Sequence, residues 1–127
     1  MAADDKDLLA PWRIKIDEID QQLLELLAKR AEAALEVGKI KHQLNAPIFR
    51  PDRERQVIDG LIDRNKSSLA PEGIASIWRE IMSACRALEA PVRVAYLGPA
   101  GTFSEQAAFA QFGQSIGRVP CSTIDEV

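Results

Sequence analysis

From Leu9 to Leu44 one stripe of residues recurs in alternating steps of three and four: Leu9, Trp12, Ile16, Ile19, Leu23, Leu26, Arg30, Ala33, Val37, Ile40 and Leu44. That is a heptad seam, and it predicts a single long helix. No proline interrupts it after Pro11, only Gly38 weakens it, and Ala, Leu, Glu, Lys and Gln dominate it with high helix propensity. The run "NAP" at 45–47 ends it, because Pro47 disfavours the helical conformation at Ala46. About 35 residues make a rod of roughly 50 Å, while a compact domain of about 100 residues is near 35 Å across. Two shorter helices cannot cover such a rod. The seam therefore predicts a second copy, in a two-fold dimer of antiparallel long helices.

The next helix is expected from Pro51 to Asn65, with Pro51 suited to its first position and Val57, Ile58, Leu61 and Ile62 on its apolar face. "NKSSLAP" is a connector. A third helix starts near Pro71, buries Ile74, Ile77, Trp78, Ile81, Met82, Cys85 and Leu88, and ends around Ala90. After Pro91 the pattern changes. "VRVAYLG" (92–98) alternates as a strand, "GPAGT" is a turn, "FSEQAAFAQF" (103–112) is a short helix, and "RVPCSTIDEV" reads as a strand followed by the first residues of a helix. So short a stretch cannot build its own core. It is expected to be the start of a larger α/β domain, loosely ordered or packed on a neighbour.

Composition removes several function classes. Hydrophobic residues make up 46% and charged residues 28% of the 127, enough for a core and not the balance of a disordered chain. A net charge of −3 argues against a nucleic-acid surface. No apolar run approaches the roughly 20 residues that span a bilayer, and "MAADDKDLL" lacks the basic start and apolar centre of a secretory signal. Cys85 and Cys121 stand far from each other and from His42, matching neither a zinc site nor a disulfide framework. A cytosolic chain without metal or cofactor is the expectation.

The charges that fall on inward faces carry the chemistry. Arg30 occupies a seam position, where a charge must be paired or be desolvated at considerable cost. It could set register, as polar seam residues do, or snorkel outward. Lys41 lies eleven residues later, so it projects from almost the same face. Two cations on one stripe suggest an anionic ligand between helices. Arg13 is roughly 25 Å from Arg30 along the axis and cannot serve the same site within its own chain, but an antiparallel partner's Arg13 can. In "RPDRER" (50–55), Glu54 precedes Ile58 and Leu61 by four and seven and so faces inward; Arg53, four before Val57, also leans in. Asp52 and Arg55 belong to the polar face, and Arg50 is undetermined. With Cys85 and Glu89 on the third helix, the set offers several cations, one hydroxyl-accepting carboxylate and no activated nucleophile. Such a site holds a small dianion and catalyses by positioning and electrostatics.

These stretches resemble a known family. "LAPWRIKIDEIDQQLLELLAKRAEAALEVGKIK", "RPDRE" and "IWREIMSACRALE" look like the all-helical class of chorismate mutases. "VAYLGPAGTFSEQAAF" is similar to the opening of a prephenate dehydratase domain, and the order matches the bifunctional chorismate mutase–prephenate dehydratases of phenylalanine biosynthesis. The resemblance implies an all-α mutase domain over 1–90, one long and two shorter helices forming an intertwined homodimer. A truncated start of a dehydratase domain follows over 91–127. It implies a cofactor-free rearrangement of chorismate to prephenate. Arg30 and the partner subunit's Arg13 would hold the two carboxylates. Lys41 would reach the ether oxygen, Glu54 the ring hydroxyl, and Arg53 would support the site or approach a carboxylate. Catalysis would then consist of selecting the compact conformer and stabilising charge that appears only in the transition state.

Three positions depart from the family pattern. Arg50 stands where some members carry an aspartate, so it receives no role. Cys85 replaces a small hydroxyl residue that assists a carboxylate, and is a weaker donor. Glu89 replaces a frequent glutamine at the second ether-oxygen donor and can donate only when protonated, so activity is expected to fall as Glu89 ionises. "GPAGT" before a helix could hold an anion, but dehydratase activity is not expected from this chain. The other class of function is a helical dimerisation module whose charges only set register; a helix-turn-helix regulator lacks the basic surface.

Overall fold

A computed structural model describes residues 5–90 and 93–127. Its elements run α1 (Asp5–Leu44), α2 (Pro51–Arg64), α3 (Pro71–Glu89), β1 (Arg93–Leu97), α4 (Phe103–Phe112) and β2 (Gly117–Cys121), then a 3₁₀ turn over Ile124–Glu126. The chain divides into two units, Met1–Ala33 and Ala34–Val127.

The first unit is the N-terminal part of α1. The helix begins at Asp5, before the seam, and continues through Pro11, whose ring removes one backbone donor. Asp5 and Asp7 in its first turn suit the positive end of the helix dipole. The seam is uncovered: Leu9, Trp12, Ile16, Ile19, Leu23 and Leu26 are 44–63% exposed.

In the second unit α1 ends by a backbone device one residue ahead of the expected proline effect. Asn45 adopts a left-handed conformation (φ 53°); its N–H donates to His42 O at 3.3 Å and Ala46 N–H to Lys41 O at 2.8 Å. This is a Schellman cap. Pro51 and Pro71 open α2 and α3 at the first helical turn, where the missing N–H costs nothing. α2 packs on α3. Ile74, Met82 and Cys85 are buried and Val57, Ile58, Leu61 and Ile62 half-buried. Ile77 and Leu88 were expected in the core but are exposed. They are eleven residues apart, hence on one side of α3, and α2 covers a different side.

The stretch after α3 forms the expected strand, short helix and second strand. β1 and β2 pair in parallel, Arg93 opposite Gly117 through Leu97 opposite Cys121, with α4 as the crossover between them. Tyr96, Ala108 and Cys121 are buried. α4 packs on β1 and on α3 of its own chain. The strand was expected from Val92, which lies outside the described residues.

Candidate active site

Glu54, one turn into α2, receives a two-pronged ion pair from Arg86 of α3. Nε donates to Oε2 at 2.8 Å and Nη2 to Oε1 at 3.2 Å. The Arg86 side chain is 4% exposed and stacks over the Phe49 ring with 4.7 Å to its centroid. Nη2 also reaches Phe112 O at 3.4 Å, and the Phe49 and Phe112 rings lie 4.9 Å apart. Nη1 is buried with no hydrogen-bond partner among the described residues. Removing one partner from a buried pair of this kind typically costs about 3–5 kcal/mol, because the other charge is left uncompensated.

Lys41, in the last turn of α1, is half-buried. Its Nζ donates to Ile48 O at 3.0 Å and to Glu89 Oε2 at 3.2 Å. Glu89 sits here as an acceptor paired with the Lys41 ammonium. The close approach behind this contact depends on Gly38. A Cβ there would stand 3.0 Å from Glu89 Cα and 3.1 Å from Glu89 Cβ.

The other expected site residues divide. Cys85 is buried as a free thiol. Arg30 is half-buried and Arg13 exposed, both in the first unit. Arg53 is exposed, not leaning inward; Glu54 takes the inward position, and 54, 57, 58, 61 and 62 form the half-buried stripe of α2. Asp52 and Arg55 are exposed as expected, and so is Arg50.

Arg86 is the residue that sequence reasoning missed. The signal is in the sequence: it lies four after Met82 and three before Glu89, on the inward stripe of α3. A cleft of about 360 Å³ opens between Phe49, Pro51, Glu54, Ile58, Ala75 and Arg79. It shares only Glu54 with the expected set, so the ion-pair network, not the cleft, defines the site. Among the described residues no group of three His, Cys, Asp or Glu side chains could hold a metal ion, and no helix is long and apolar enough to cross a membrane.

Comparison with known proteins adds the chemistry. The family described as chorismate mutase type II matches residues 12–90, and prephenate dehydratase matches residues 94–127. A bifunctional chorismate mutase/prephenate dehydratase of Pseudomonas aeruginosa is 45% identical over 97% of this chain and 35% of its own length. One from Aquifex aeolicus is 44% identical over 94% of this chain and 34% of its own. A chorismate mutase of Methanocaldococcus jannaschii is 49% identical over 40% of this chain and 52% of its own length. The chain spans about a third of the length of the bifunctional relatives it matches.

Proposed function

The chain belongs to the chorismate mutase type II family, and from that premise we propose that it rearranges chorismate to prephenate as a homodimer. The mutase segment is 1–90, and 91–127 opens a dehydratase segment. Arg30 and the partner subunit's Arg13 bind the two carboxylates of the substrate. Lys41 donates to the ether oxygen, where negative charge grows as the C–O bond breaks, and this charge is absent from the ground state. Glu54 accepts from the ring hydroxyl and so favours the compact conformer. Arg53 lies at the rim of the site, and Cys85 packs behind it. Glu89 acts on the same oxygen as Lys41, either directly when protonated or, as a carboxylate, by orienting the Lys41 ammonium.

The observation that carries this reading is the Lys41 ammonium, half-buried and tethered to Ile48 O and Glu89. A cation fixed before substrate arrives needs little reorganisation as charge develops. A cytoplasmic location belongs to the same reading and is supported by two free thiols, Cys85 and Cys121, which suit a reducing compartment.

The test is the loss of chorismate absorbance with the purified 127-residue chain, repeated with Arg30→Ala. The parent is expected to consume chorismate and accumulate prephenate, and the variant to lose at least about 100-fold in kcat/KM while still dimerising. A parent that dimerises but leaves chorismate untouched would identify a helical dimerisation module instead.

A further inference from the structure

Four residues at the C-terminal corner of α4 meet α3 on one strip. Gln114 N–H donates to Glu80 Oε2 at 3.2 Å, Ser115 N–H donates to Ser83 Oγ at 3.2 Å, and Phe112 O accepts from Arg86 at 3.4 Å. Glu80, Ser83 and Arg86 are spaced by three along α3, so they line one side of the helix. Ser83 is fully buried. Gly113 makes the approach possible: its φ is 77°, and a Cβ there would stand 2.4 Å from Ser83 Cβ. The same guanidinium that closes this strip forks onto Glu54.

We propose that Arg86 is a positioning residue for Glu54, and that the α4 corner holds Arg86 in place. The proposal rests on the mutase reading of Glu54. Arg86 touches no substrate in this scheme. Its fork fixes both oxygens of the carboxylate, so the Glu54 lone pairs not taken by Arg86 point in one direction. A monodentate or mobile partner would leave the carboxylate free to rotate. Because Nη2 is shared between Glu54 and Phe112 O, lifting the corner off α3 removes one restraint on the guanidinium and loosens the carboxylate. The first elements of the α/β segment thereby set the geometry of a residue in the helical segment.

The experiment uses the full chain with Arg86→Met, Arg86→Lys, Glu54→Gln, Gly113→Ala and the double variants that combine Glu54→Gln with Arg86→Met or Gly113→Ala. Each is checked for folding by circular dichroism at the assay temperature. Arg86→Met is expected to lower kcat/KM about 100-fold, the loss that follows from misplacing a catalytic group by about 1 Å. Arg86→Lys should recover part of that loss, since it restores the charge without the fork. Gly113→Ala should lower activity in the same direction. Neither Arg86→Met nor Gly113→Ala should cost anything further once Glu54 is glutamine. Losses that multiply independently of residue 54 would overturn the proposal, because a purely structural role predicts them. Amide hydrogen exchange supplies a readout independent of turnover: Glu54→Gln should speed exchange at Gln114 and Ser115, and unchanged protection would sever the proposed link. A parent inactive on chorismate would refute the mutase reading, and with it any catalytic role for Arg86. Exchange would then decide alone whether Arg86 joins Glu54 to the α4 corner.

Discussion

Gly38 looks like a weakness in a long helix, and the structure gives it a purpose. A glycine in a helix interior costs about 1 kcal/mol relative to alanine, so helix propensity alone predicts that Gly38→Ala stabilises. The added Cβ would meet Glu89 Cα at 3.0 Å and Glu89 Cγ at 3.2 Å, and the first of these is backbone, which cannot swing away. Overpacking of that kind costs about 1–3 kcal/mol and outweighs or cancels the propensity gain. Gly38→Ala should therefore fail to raise Tm, and should lower kcat by pushing Glu89 away from Lys41. Thermal unfolding and the chorismate assay on the same preparation check both halves; a stabilised and fully active variant would remove the role given to this contact.

Among the elements, β1, α4 and the loop between them hold together through one buried pair. Tyr96 OH donates to Glu105 Oε2 at 2.5 Å, and Gly101 N–H donates to Glu105 Oε1 at 2.9 Å. Thr102 caps α4 by accepting from Glu105 N–H, so the loop, the cap and the strand meet at one carboxylate. The hydrogen bond to Tyr96, with the Gly101 N–H second, holds the Glu105 carboxyl below its usual range. The bond to Glu105, with burial second, holds the Tyr96 hydroxyl above its usual range. The signs follow by linkage. The lowered carboxyl contributes stability above its unfolded value of about 4.3, lost as pH falls through the folded value; the raised phenol contributes below about 10, lost as pH rises through the folded value. The α/β segment should be steady through neutral pH and loosen at both extremes. Tyr96 is the chain's one tyrosine, so phenolate absorbance should titrate above the free-tyrosine range, and Tyr96→Phe should flatten both limbs of the stability profile.

For the whole molecule the dominant fact is the apolar seam of α1, which stands exposed along the first unit from Leu9 to Leu26. A run of this size is far larger than the scattered surface leucines of ordinary proteins, and it is the face the proposed dimer would use. The proposed dimer covers it and brings the partner subunit's Arg13 to each Arg30. Sedimentation velocity should give the mass of two chains. Leu23→Lys at the middle of the seam should shift the chain to monomer and abolish chorismate consumption together. A monomeric parent that retains activity would refute the shared site.

What the sequence determined by itself was local: element boundaries and most inward positions. The long helix, the prolines opening α2 and α3, and the step-of-four logic placing Glu54 inward depend only on neighbours within a few turns, and the structure reproduces them. The same logic put Arg53 inward, where the structure leaves it exposed, because α2 packs on α3 along one side and the stripe through 54, 57, 58, 61 and 62 is the side that meets it. It passed over Arg86 because a spacing rule names the inward positions without naming their partners. Which carboxylate Arg86 forks onto, that Glu89 meets Lys41, that Gly38 clears the way for that contact, and that Gly113 seats α4 on Ser83 are pairings between residues far apart in the chain. Each is decided by the distance between two backbones in space, a quantity that periodicity does not contain, and only the tertiary structure supplied it.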